Sequence, residues 1–193
     1  LDVDLSDSLR FVADALYYYG DWVPNFAQLK KSDPAHVLPG YDYDVISTEA
    51  LLARAAVKNS RVVLPDGMSY RALVLPERPA LPLPVLRKVK ELVAAGATVI
   101  GPKPVRTEGL TDYPREDAEV AKLAAELWGD AGGKNAGEHK FSQGRVIWGR
   151  TARDVLLADG VMPDFDFSTS QPDPQIDYIH RSVDGTDIYF VAN

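Results

Sequence analysis

The stretch DALYYYGDWVPNF (14–26), followed by a polar linker and VLPGYDYDVIS (37–47), decides how this chain is read. Ala15-Leu16-Tyr17-Tyr18-Tyr19 is a short apolar and aromatic run closed by Gly20. A continuous run of that length predicts a strand buried on both faces, as in the parallel sheet of an α/β protein. Ligands of such sheets dock at the carboxyl ends of the strands. There, next to Tyr19, the chain places Asp21, Trp22, Pro24 and Asn25: a carboxylate, an indole, a rigid turn and an amide. A second polar-aromatic cluster follows at Tyr41-Asp42-Tyr43-Asp44. Ring faces flanked by carboxylates and amides suit a sugar, whose C–H faces stack on rings and whose hydroxyls need donors and acceptors. By residue type alone, buried tyrosines and loop-capping aspartates are the plainer reading.

Outward from this stretch, strands and helices alternate. Residues 44–46 read as a second strand, and Ser47-Thr48 as the cap of a helix over 49–56. Pro65-Asp66-Gly67 predicts a hairpin between residues 61–64 and 70–75, with the apolar run 72–75 as a central strand. Pro84 opens the clearest helix, with Leu86, Val89, Leu92 and Val93 on one face and Gly96 as its stop. Residues 98–101 form the next strand, 117–128 an amphipathic helix, and 145–149 a further strand. Residues 130–144, rich in Gly, Lys and Asn, read as a flexible insertion. Thr151 with Asp154 predicts a capped helix ending at Gly160. The tail from 163 to 174 is irregular, and 176–181 with 187–192 around Asp184-Gly185 reads as a hairpin. The expectation is a flavodoxin-like, doubly wound, mainly parallel sheet over residues 11–162. A lead-in (1–10) precedes it, and a tail with a β-hairpin (163–193) leads toward a following β domain.

Composition bounds the chemistry. With 193 residues and 46% hydrophobic side chains, the chain can bury a core without cross-links. It contains no Cys, which removes disulfides, thiolate nucleophiles and Cys-based zinc sites. A net charge of −7 argues against nucleic acid and anionic membranes as partners. No apolar run reaches membrane-spanning length. The chain begins with Leu1 rather than Met, which points to a piece of a longer protein and makes the lack of an export signal uninformative.

Candidate sites were weighed against these limits. A phosphate loop after the first strand is disfavoured by Asp21, which repels anions. Asp21, Glu77 and Lys103 only loosely mimic a phospho-receiver. A glutamine-amidotransferase-like hydrolase would need a Cys nucleophile, which is absent. His36, His139 and His180 lack the spacing of a metal set and read as surface or hydrogen-bonded structural residues. Asp42 and Asp44 make a calcium-like fragment without further spaced ligands. A glycosidase pair needs two carboxylates about 5–9 Å apart, and no pair stands out in the sequence. The expectation is no cofactor and no metal.

Six phrases taken together resemble one family. DALYYYGDWVPNF, LPGYDYDVISTEALL (38–52), LPDGMSYRALVLPE (64–77), VLRKVKELVAAGATVIGPKP (85–104), GRVIWG (144–149) and IDYIHRSVDGTDIYFVAN (176–193) are similar to the mid-region of glycoside hydrolase family 106, the large bacterial α-L-rhamnosidases. The resemblance runs from about residue 11 to the end and keeps the family's order. It implies a flavodoxin-like or amidotransferase-like domain downstream of a catalytic (β/α)8 barrel that holds the catalytic carboxylates, with β-sandwiches after it. On that reading this chain carries no catalytic residue and the isolated chain is inactive. Its partners are the barrel and β-sandwich domains of the same polypeptide, and carbohydrate. The parent enzyme would be secreted or periplasmic, and the 176–193 hairpin would be the junction to the next domain. Tyr19, Asp21, Trp22, Asn25, Tyr41, Asp42, Tyr43 and Asp44 become candidate contacts to substrate or to the barrel. Two alternatives stand beside this one: a stand-alone carbohydrate- or nucleotide-binding module, and a free-standing enzyme using Asp21, Asp42 and Asp44, which requires a carboxylate with a raised pKa in a cleft.

Overall fold

A computed structural model describes residues 10–11, 13–20, 33–109, 112–129, 135–168 and 176–192. The first predicted strand is β2 (Ala15–Gly20), preceded by a two-residue strand, β1 (Arg10–Phe11). Then come β3 (Tyr43–Ser47), α1 (Thr48–Arg54), β4 (Ala56–Lys58), β5 (Arg61–Val63), β6 (Ser69–Tyr70) and β7 (Ala72–Val74). The second half holds α2 (Leu83–Ala94), β8 (Thr98–Ile100), α3 (Arg115–Trp128), β9 (Gly137–Phe141), β10 (Gly144–Trp148), α4 (Ala152–Ala158), β11 (Asp177–Val183) and β12 (Thr186–Ala192).

The main sheet has six strands in the order β3-β2-β7-β8-β10-β9. All its pairs are parallel except the outer β9–β10 pair. The fold is therefore mixed α/β with a mostly parallel sheet, ending in the antiparallel β11–β12 hairpin. Alternation along each strand splits the core in two. Leu16, Tyr18, Leu73, Val99, Val146 and Trp148 face α1, α2 and α3, while Ala15, Tyr17, Val74, Ile100 and Ile147 face α4 and the segment Ala35–Tyr41. Every strand of the parallel core thus buries both faces, and continuous apolar runs without polar interruption are what such strands require.

Caps confirm the helix boundaries read from sequence. The Ser47 side chain accepts from the Ala50 amide, and Thr151 Oγ1 accepts from the Asp154 amide at 3.0 Å. After α2, Gly96 adopts φ 114°, which lets the Gly96 and Ala97 amides return to the carbonyls of Val93 and Leu92. α1 stops at Arg54, two residues short of the expected end, because Ala56–Lys58 turns through Asn59 and Ser60 (φ 52° and 58°) to pair with β5.

Two expectations are corrected. The 130–144 stretch is not a loose insertion over its described part: Gly137–Phe141 forms an edge strand on β10. Its polarity is that of an edge, and a Cβ at Gly144 would collide with the carbonyl oxygens of Val93 and Ala97, so the turn seats against the end of α2. The second arm of the hairpin at Pro65-Asp66-Gly67 breaks at Arg71. β6 belongs to the small antiparallel sheet β4-β5-β6, whereas β7 enters the main sheet. At the break, the Arg71 amide donates to the Asp14 carbonyl at 2.8 Å, and Arg71 Nε contacts Asp14 Oδ1 at 3.0 Å. Arg10 and Phe11 pair with Ser182 and Arg181 of β11.

Candidate functional site

Asp21, Trp22 and Asn25 lie outside the described residues. Tyr19 stands near the carboxyl end of β2, in edge contact with the Tyr17 ring at 5.6 Å between centroids. Tyr41 to Asp44 stand at the other end: Tyr43 and Asp44 begin β3, and Tyr41-Asp42 precede it. Because β2 and β3 are parallel, Tyr19 and the Tyr41-Asp42-Tyr43-Asp44 cluster sit at opposite edges of the sheet. The sequence places both near a strand, but strand direction separates them. The Tyr17 ring, which also meets Tyr43 edge-on at 6.4 Å, lies between Tyr19 and Tyr43.

The amino edge is built from three elements. Ahead of the strands, the Asp14 amide donates to the Asp42 carbonyl at 3.0 Å, joining the entries of β2 and β3. Next comes the strap 161–168, an irregular segment after α4. The Tyr41 hydroxyl donates to the Val161 carbonyl at 2.8 Å, and the Asp164 and Phe165 amides both reach the Gly40 carbonyl. The hairpin completes the edge through His180, which is 6% exposed. Its Nδ1 lies 3.0 Å from Asp164 Oδ2 and its Nε2 2.9 Å from Asp187 Oδ1. The Tyr189 ring stacks on the imidazole at 4.2 Å, and its hydroxyl donates to Asp164 Oδ1 at 3.0 Å. Phe165 stacks on Tyr178 at 4.7 Å.

Between strap, hairpin and strand entry lies a cleft of about 140 Å³. Leu38, Tyr41, Asp42, Tyr43, Phe165, Phe167 and Tyr178 are among its walls. The Tyr178 hydroxyl is enclosed without a hydrogen-bond partner. Of the candidates read from sequence, this cleft gathers Tyr41, Asp42 and Tyr43. Phe165, Phe167 and Tyr178 join them from the tail. The Asp164-Phe165-Asp166-Phe167 alternation was the one sequence signal that could have nominated any of these.

Electrostatics at this edge come from burial. Burial pushes the Asp14 carboxyl up, and the Arg71 hydrogen bond pulls it back. Burial likewise raises Asp44, offset by the Tyr70 hydroxyl, which donates to Asp44 Oδ2 at 2.9 Å. Tyr43 is held up by burial and then by the Asp33 and Asp42 charges. Asp44 therefore has a raised pKa of the kind a free-standing enzyme would need, and it is bonded to Tyr70 outside the walls of this cleft. The phospho-receiver resemblance dissolves as well: Lys103 Nζ donates to the Gly129 carbonyl at 3.0 Å. His139 Nδ1 lies 2.9 Å from the Leu127 carbonyl, and His180 is held between two aspartates, so both are hydrogen-bonded structural residues. Among the described residues no group of three or more His, Asp or Glu is placed to hold a metal ion, and no helix is long and apolar enough to cross a membrane.

The family model of the α-L-rhamnosidases, glycoside hydrolase family 106, matches residues 5–193. The chain belongs to that family. A protein of Formosa agariphila, provisionally named a beta-glucuronidase, is 37% identical over 182 residues; the match covers 94% of this chain and 14% of that protein. The solved rhamnosidase of Novosphingobium sp. PP1Y superposes with a TM-score of 0.79 at 32% identity, covering 94% of this chain and 17% of that one. The family resemblance thus spans nearly all of this chain, and the chain spans only a small part of each relative. The cleft and the two edges described above belong to that shared portion.

Proposed function

We propose that this chain is a non-catalytic accessory domain of a large α-L-rhamnosidase-type glycoside hydrolase, supporting a catalytic barrel and shaping its substrate entrance. One observation carries the reading: 94% of the chain matches relatives of which it makes up 14% and 17%. A module in that position works through its neighbours, here a barrel before it and β-sandwich domains after it. The flavodoxin-like assignment is supported by strand order. Numbered along the chain, the parallel strands run 2-1-3-4-5. That is the order of doubly wound flavodoxin-like sheets, with helices on both faces.

Tyr19 at the carboxyl end of β2, and Asp21, Trp22 and Asn25 that follow it in sequence, are the candidate contacts to the barrel and its substrate. Tyr41, Asp42 and Tyr43 instead seat the strap and the hairpin. On this reading the 193-residue chain does not hydrolyse an aryl α-L-rhamnoside, while the longer polypeptide that contains it does. Turnover by the 193-residue chain, abolished by Asp21→Ala, would overturn the proposal.

A second reading, a carbohydrate-binding module in its own right, is favoured by the aromatic cleft beside Asp42. Chemical-shift changes confined to residues 38–43 and 165–178 on adding L-rhamnose to the 193-residue chain would favour it over the accessory role.

A further inference from the structure

β12 is the outer strand of the sheet β1-β11-β12, so among the described residues one of its backbone edges is unpaired. Each of its residues is exposed, and the exposed set is apolar: Ile188, Tyr189, Phe190 and Val191, with Phe190 at 61%. Register sorts the hairpin faces. Ile179 pairs with Phe190 and Arg181 with Ile188, which puts Ile179, Arg181, Ile188 and Phe190 on one side. The opposite side carries Tyr178, His180 and Tyr189, which are seated on Asp164 and Phe165 of the strap. On the first side Ile179, Ile188 and Phe190 are exposed.

Exposed edges are normally blunted by Lys, Pro or a bulge, because a bare row of N–H and C=O groups templates further strands. TDIYFVA has none of these and carries only Asp187 near its start. It therefore combines two unmet demands on one strand, an open hydrogen-bonding edge and an apolar face. Only another β-strand meets both at once.

We propose that β12 is extended by a strand of a neighbouring β-rich domain of the same polypeptide, whose apolar side chains cover Ile179, Ile188 and Phe190. This rests on the accessory-domain reading, and it adds the surface and the mode of contact. A neighbour tethered in the same chain is present at high effective concentration. A second copy is disfavoured because each copy carries a net charge of −7.

The test is hydrogen exchange, read on β12 in the 193-residue chain and in the longer polypeptide containing it. The β12 amides facing away from β11 should exchange freely in the short chain and slow on the order of 10-fold or more in the long one. Phe190→Lys should leave the melting temperature of the short chain unchanged and abolish that added protection in the long one. Unprotected β12 amides in the long polypeptide would overturn the proposal. So would protection that appears in the short chain together with dimerisation in sedimentation velocity, which would make the occupant a second copy. A reading frame that closes around this chain would remove the accessory-domain reading itself, and that result is read from the gene, independently of exchange.

Discussion

His180 shows how one residue couples parts of the chain that sequence reading kept apart. Both ring nitrogens face carboxylates, Asp164 of the strap and Asp187 of β12, and the Tyr189 ring closes one face. Asp187 is well exposed, so most of the benefit comes from the enclosed Asp164 contact. Replacing His180 by Ala removes these bonds and should cost about 2 kcal/mol. The loss should be local: exchange protection should fall across β11 and β12 while β2, β7 and β8 keep theirs. Equal loss over both sheets would show that the hairpin and the main sheet unfold as one unit.

At the scale of elements, α2 and α3 were legible because helical periodicity is a local property. Leu86, Val89, Leu92 and Val93 share one buried face of α2. Leu86→Ala should therefore cost about 2–5 kcal/mol in chemical denaturation. Leu157→Ala, at an exposed position of α4, should stay within about 0.5 kcal/mol. The strands were less legible. β9 hid in a polar, glycine-containing stretch because an edge strand has one open side and needs no apolar run. β6 and β7 looked like one strand because nothing in Ser69–Val74 marks Arg71 as a corner. That corner is set by Asp14, which comes from 57 residues earlier in the chain.

For the whole molecule, the buried carboxyls at the amino edge govern the response to pH. Burial raises Asp14 and Asp44 above their unfolded value of 3.8. Between that value and the raised one, the folded state holds more protons than the unfolded state. The contribution of these two groups to stability is therefore greatest below the unfolded pKa and is lost as pH rises through the folded one. In urea denaturation, the double variant Asp14→Asn, Asp44→Asn should show a flatter fall of stability with rising pH over that window than the parent. An unchanged slope would show that Arg71 and Tyr70 fully offset the burial.

The sequence by itself determined the alternation of strands and helices, the helix caps, the Asp184-Gly185 hairpin turn and the family. Each of these rests on near neighbours in the chain or on ordered phrases along it. Tertiary structure alone decided the strand order and which edge each cluster occupies. It also decided the union of Tyr41 and Asp42 with Phe165 and Tyr178. The reason is physical: a parallel crossover carries the chain back to the starting edge before the next strand begins. Residues close in sequence, such as Tyr19 and Tyr41, are thereby parted, and residues far apart, such as Tyr41 and Val161, are hydrogen-bonded.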